Sequence, residues 1–152
     1  MTLRAMFATA LLASGLLLLV ATSCVGPQVG LEGGVLRSCP GSPNCVSSEA
    51  APGDSSRVDP LVIPVGFAPE DALGALAAVL AERASLVARD DGYLHAVFKT
   101  RLLRFRDDFE ARLDVEAGVI QVRSASRLGY SDLGANRRRV EEIRAAFQAA
   151  MD

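Results

Sequence analysis

Two adjacent aspartates, Asp107 and Asp108, with Glu110 just beyond, precede a run of guanidiniums and hydroxyls at Arg123, Ser124, Ser126 and Arg127. Carboxylates can act as general acid and base, and arginine can grip an anion through two parallel hydrogen bonds. Tyr130, Asp132, Asn136 and Arg137 follow within a few residues. These ten residues (Asp107, Asp108, Arg123, Ser124, Ser126, Arg127, Tyr130, Asp132, Asn136 and Arg137) form a candidate cluster with two readings. As a pocket, the arginines, the serine hydroxyls and the backbone N–H groups around 131–134 receive an anionic or sugar-like ligand. As a structural network, ion pairs tie the last helix to the sheet. A joint catalytic role for Asp107 and Asp108 is disfavoured, because neighbours on a strand point to opposite faces.

The sulfur and imidazole groups are few. Cys39 and Cys45 flank a segment containing Pro40, Gly41 and Pro43, which can fold the chain back on itself. In an oxidising compartment that spacing reads as a structural disulfide. It lacks the C-x-x-C arrangement of a redox dithiol, and one histidine with two free cysteines is too small a set for zinc. No metal and no cofactor is expected. His95 shares a strand face with Tyr93 and Lys99, opposite an apolar face, which predicts a solvated imidazole.

The compartment is set by the N-terminus. After Arg4 comes an almost wholly apolar run from Met6 to Val20, then the small residues Ala21, Thr22 and Ser23. That order is the layout of a secretory signal peptide over 1–23. The next residue is Cys24, and A-T-S-C at 21–24 resembles a bacterial lipobox, with Ala21 where a leucine is usual. Three cysteines with two paired leave Cys24 as the odd thiol, free to carry lipid. Several acyl chains would anchor the protein stably, where one would not. Without residues 1–23 the formal charge is about −3, against −2 for all 152 residues, which excludes bulk electrostatic binding to nucleic acid. Residues 24–36, rich in glycine, read as the lipidated cysteine and a flexible tether. Residues 37–152 form a single domain, large enough to bury a core.

Within that domain the pattern gives the elements that must position the cluster. Pro69-Glu70-Asp71 starts a helix over about 69–83, with Leu73, Leu76, Ala77 and Leu80 on one face. A short strand at 85–88 turns at Asp90-Asp91-Gly92 into a strand whose apolar face is Leu94, Ala96 and Phe98. A long extended stretch follows, with Leu103 and Phe105 on one side of its first part; it reads either as an unbroken ribbon or as one with a bend or bulge near Asp107-Asp108. It turns at 116–118 into a strand over 119–126. Counting outward from that turn puts Ala111 opposite Arg123, and Asp108 and Glu110 opposite Ser126 and Ser124. The last helix carries Leu133, Val140, Ile143 and Phe147 on its apolar face, with Asn136 among them and Ser131 or Asp132 as cap. This order predicts an α+β fold: an antiparallel meander sheet with two helices on one face, a two-layer sandwich.

Three segments together resemble a known family. C-P-G-S-P-N-C-V-S-S at 39–48, L-L-R-F-R-D-D-F-E at 102–110 and V-R-S-A-S-R-L-G-Y-S-D-L-G-A-N-R-R-R-V at 122–140 are similar to the signature blocks of the domain of unknown function 1499 family. The likeness spans roughly residues 36–150 and keeps block order. It implies a bacterial envelope or similar setting and transfers no chemistry. The expectation is a lipid-anchored envelope protein facing the periplasm or exterior, acting as a binding or scaffolding module. Its partners would be the membrane, through the anchor, and a small anionic or sugar-like ligand or an envelope protein. A hydrolase using Asp107 or Asp108 with Arg123 or Arg127 is the alternative, and a purely structural envelope protein is a third. Replacing Cys24 by Ala is expected to release the protein from the membrane fraction and to remove the lipid mass from the intact protein; retention with unchanged mass would refute lipidation.

Overall fold

The structure, a computed structural model, describes residues 29–99 and 105–152. The signal segment 1–23, Cys24 and Leu103 lie outside the described residues. Among the described residues no helix is long and apolar enough to cross a membrane.

Among the described residues, eight strands and two helices follow in the order β1 (Leu31–Glu32), β2 (Val35–Leu36), β3 (Cys45–Ser47), β4 (Leu61–Val62), α1 (Pro69–Ala81), β5 (Ser85–Asp90), β6 (Tyr93–Lys99), β7 (Arg106–Asp114), β8 (Val119–Ser126) and α2 (Ala135–Met151). The main sheet has the order β3-β8-β7-β6-β5, with β4 pairing the same edge of β8 as β3; every pair is antiparallel. Both helices pack on one face, so the α+β fold with two helices on one side of a meander is as expected. Pro69 opens α1 at a position where its missing N–H costs nothing, and Glu70 and Asp71 suit the positive end of the helix.

The core lies between that face and the helices. Leu94, Ala96, Phe109, Ala111, Ile120 and Val122 point towards it and are fully buried, as are Leu76 and Leu80 of α1 and Val140 of α2. Alternation would leave the other face wet, yet His95, Asp108, Glu110 and Arg123 are buried there too. Part of the cover is the β1–β2 hairpin, which packs against β7 and β8. The expected flexible tether over 24–36 is thus corrected at its C-terminal end. Gly30 N donates to Glu110 Oε1 at 2.6 Å and Leu36 N to Glu49 Oε2 at 2.6 Å, so carboxylates of the main domain hold this segment down.

Two local expectations change and a third is decided. The turn between β7 and β8 contains four residues, because Asp114 pairs Val119. The register therefore slips by one from the count made above: Glu110 faces Arg123, Asp108 faces Ala125 and Asp107 faces Ser126. Of the two alternatives near Asp107-Asp108, the unbroken one holds over 106–114, since the ladders with β6 and β8 continue through both residues. Leu133 does not join the helical apolar face. It is 86% exposed with φ 53°, just ahead of a helix that begins at Ala135.

The expected disulfide is present: Cys39 and Cys45 are bonded, with their Cα atoms 5.6 Å apart. On chain-entropy grounds a seven-residue loop closed this way gains about 2–2.5 kcal/mol. The double variant Cys39→Ser/Cys45→Ser is expected to lose no more than about that amount in urea unfolding. A larger loss, or failure to fold, would show that the bond does more than close its loop.

Candidate functional site

Because successive residues of β7 point to opposite faces, the paired aspartates belong to two different networks. Asp107 points to the helix side and is 2% exposed. Its Oδ2 accepts a hydrogen bond from Arg139 Nη2 at 2.5 Å. The same guanidinium donates to Asn136 Oδ1 (2.6 Å) and Ser124 Oγ (3.1 Å), and lies 4.9 Å over the Phe98 ring. A cation in the first turns of a helix is disfavoured by the helix dipole, and the buried carboxylate offsets that cost.

Asn136 is fully buried, as its position among apolar residues demands, and its amide is saturated. Its oxygen accepts from Ser124 Oγ at 2.7 Å; its Nδ2 lies within 2.9 Å of Asn44 O, Ser126 Oγ and Asp132 Oδ2. Asp132 also accepts from the backbone N–H groups of Gly134 (2.8 Å) and Asn136 (2.7 Å). Two of the backbone donors expected to hold an anion around 131–134 are therefore engaged: Asp132 takes the anion's place at Gly134 N, and Ser131 Oγ accepts from Leu133 N at 3.3 Å.

The opposite face carries Asp108 and Glu110. Asp108 Oδ1 lies 2.7 Å from His95 Nε2, and Arg127 clamps both oxygens at 2.7 and 2.9 Å. Burial pushes the Asp108 carboxyl up, but the hydrogen bonds from His95 and Arg127 and their charges outweigh it and hold it below the ordinary carboxylate range. Arg127, bonded to Asp108, is raised in turn. His95, expected in solvent, is 6% exposed; burial of the second face and the Asp108 acceptor account for that correction. Glu110 is wholly buried and accepts from Arg123 Nη1 (2.6 Å), Tyr93 OH (2.7 Å) and Gly30 N. Burial first, and then the Glu110 carboxylate, push the Tyr93 phenol well up. Arg123 Nε is buried with no partner among the described residues.

Of the ten cluster residues, eight thus enter these two networks: Asp107, Ser124, Ser126, Asn136 and Asp132 on the helix side, Asp108, Arg123 and Arg127 on the other. Tyr130 and Arg137 do not join them. Tyr130 is 77% exposed, and Arg137 donates to the carbonyl oxygens of Arg57 (2.9 Å) and Ser55 (2.7 Å). Both line an open groove of about 1260 Å³. One wall is the disulfide-tied loop 38–43; others are 49–56 and 130–134. Sequence reasoning missed Tyr93, His95 and Asn44 as network partners, and it missed the groove. Only the density of Pro, Gly and Ser at 38–43 marked a rigid turn there.

A family model described as "Protein of unknown function (DUF1499)" matches residues 35–147. No curated protein and no solved structure matches the chain.

Two outcomes follow from this geometry. Arg123→Met is expected to cost about 3–5 kcal/mol in urea unfolding, because Glu110 is left charged and buried. Stability loss near zero would show that the pair is solvated. Because the folded pKa of Asp108 is depressed, its contribution is fully present above the ordinary carboxylate pKa of about 4 and is lost as pH falls through the lower folded value. Asp108→Asn should therefore destabilise clearly at pH 7, with the gap to the parent protein narrowing below about pH 4. An equal gap at both pH values would contradict this.

Proposed function

The chain belongs to the DUF1499 family of proteins of unknown function, and from that premise we propose that it is an exported, lipid-anchored cell-envelope protein that binds a neutral, hydroxyl-rich ligand in the groove beside its disulfide. The observation that carries this reading is the division of labour among the polar residues. Every carboxylate of the buried cluster is already ion-paired or bonded to amides, which leaves no free acid or base for hydrolysis by Asp107 or Asp108 with Arg123 or Arg127. The groove, in contrast, is open to solvent and braced by a covalent bond.

The groove lining favours one ligand chemistry. Glu49 is ion-paired with Arg112 and Glu32 with Arg37, which leaves the acids Asp54 and Asp132 against the single base Arg137 in its lining. A field of that sign repels an anion and narrows the anionic-or-sugar-like expectation to the second class. Ser38, Ser42, Ser55, Ser56 and Ser131 line the walls, and the exposed Tyr130 ring offers a flat face of the kind on which a sugar stacks. Segment 55–60 is held against α2 through its carbonyls by Arg137 and Arg144, so that wall is pre-positioned.

Titration of the isotope-labelled protein with chitotetraose, followed by amide chemical shifts, tests the reading. Shifts are expected at 38–43, 54–56 and 130–137, and Tyr130→Ala should weaken binding by about tenfold. Shifts scattered over the sheet, or none at millimolar sugar, would refute it.

A further inference from the structure

We propose that the Cys39–Cys45 bond is a redox switch on the groove: a dithiol reductant opens it by attack at Cys39, and the wall 38–43 lets go while the rest of the domain stays folded. The inference rests on the reading of the groove as a binding site and adds how that site is turned off.

The fold on either side of the bond is held without it. Upstream, Leu36 is 3% exposed and its N–H is fixed to Glu49 Oε2 at 2.6 Å. Downstream, Asn44 O accepts from Asn136 Nδ2 and from Ser126 N, both at 2.9 Å, and Asn44 Nδ2 donates to Gly129 O. β3 then pairs β8 from Cys45 opposite Ala125 onward. Between these two fixed points, Ser38 to Pro43 makes hydrogen bonds only with Asn44, through Ser42, among the described residues. Pro40 and Pro43 have no N–H with which a backbone bond could replace the disulfide. The bond is therefore what holds this wall, and it holds little else.

Access sets the direction of attack. Both cysteines line the groove, but Cys45 is 4% exposed at the start of β3, whereas Cys39 is half-buried in an exposed loop. A thiolate arriving through the groove meets the Cys39 sulfur first. It bonds to Cys39 Sγ, and Cys45 Sγ leaves with the electron pair of the broken bond and takes up a proton. The second thiol of the reductant, as its thiolate, then displaces Cys39 Sγ, which is protonated in turn. Two protein thiols form, and the dithiol is oxidised to its own disulfide. The missing C-x-x-C spacing is no obstacle, because the protein is here the substrate of the exchange and not its catalyst.

Opening the bond changes the groove and not the core. Ser38 and Ser42 lose their fixed places in one wall, while Arg137 and Asp132 go on holding the segments at 55–57 and 132–136 that form the others. A ligand that needs both walls must then order the loop itself, which lowers affinity without removing the site. Because both ends of the loop stay anchored, Cys39 stays near Cys45, and an oxidised dithiol restores the bond by the same steps in reverse.

Full-chain, isotope-labelled protein in detergent, oxidised or reduced with dithiothreitol, tests the switch. Reduction is expected without denaturant, with the amide shifts of Arg123 and Asn136 unmoved. Order parameters of the Gly41 and Ser42 amides are expected to fall from about 0.85 to below about 0.6. Chitotetraose should bind the reduced form about tenfold more weakly. Limited glutathione should give its first adduct on Cys39, located by peptide mass mapping. A bond that yields only in denaturant, a domain that unfolds on reduction, a loop that stays ordered, or a first adduct on Cys45 would each overturn the proposal. The two readings fail separately. Equal sugar affinity in both forms refutes the switch and leaves the sugar site standing. A loop that lets go on reduction, in a protein that binds no chitotetraose, supports the redox opening and refutes the sugar reading.

Discussion

Strand β7 carries ionised groups into both buried faces of one sheet, and the rest of the structure is arranged around that fact. Asp107 on one side, and Asp108 and Glu110 on the other, are at most 2% exposed. Moving a carboxylate out of water costs several kcal/mol, which mutual attraction offsets only with good geometry and full hydrogen bonding. Each carboxylate has that geometry, with Arg139, Arg127 or Arg123 at 2.5–2.7 Å. Such pairs add little over well-packed apolar residues, but they tolerate few alternatives. A one-residue slip of β8 would carry Arg123 to the helix side and leave Glu110 alone. Rotation of α2 about its axis would withdraw Arg139 from Asp107. The networks therefore fix strand register and helix orientation together.

The fold class and most element positions were legible in the sequence, because they depend on local pattern. The strand at 119–126 and the helix beginning at Pro69 follow from alternation and from a proline with two acids. Register was not legible, because it depends on how many residues a turn contains. Val115–Gly118 takes four, with Gly118 at φ 64°, and that one extra residue moves Ser126 from opposite Asp108 to opposite Asp107 and leaves Asp108 facing Ala125. Burial of His95 was also hidden. Its strand alternates as if one face were wet, and part of what covers that face comes from a glycine-rich segment some sixty residues earlier with no strong signal of its own. Leu133 misled because helical spacing was extended back past the cap that Asp132 supplies.

The candidate cluster, read as one site, is two internal networks plus a surface rim. Ten residues close in sequence are separated by the pleat of the sheet and by the turn into α2. What remains available for recognition is what the networks do not use: the Tyr130 ring, the serine hydroxyls and the disulfide-braced loop around the groove. Rigidity of the sheet–helix junction matters to that groove, since Asn136 binds the Asn44 carbonyl beside Cys45 and so ties the disulfide loop to the network. Scaffold and binding surface meet at Asn44 and at Asp132, which lines the groove and binds Asn136.

Hydrogen–deuterium exchange tests the scaffold role of the ion pairs most directly. If the networks hold β7, β8 and the start of α2 as one unit, amides of Phe109, Ala111, Arg123 and Ser124 exchange only through global unfolding, far more slowly than those of 38–43 and 50–56. Exchange of the β7 and β8 amides at the rate of the groove loops, under conditions where the protein stays folded, would contradict it.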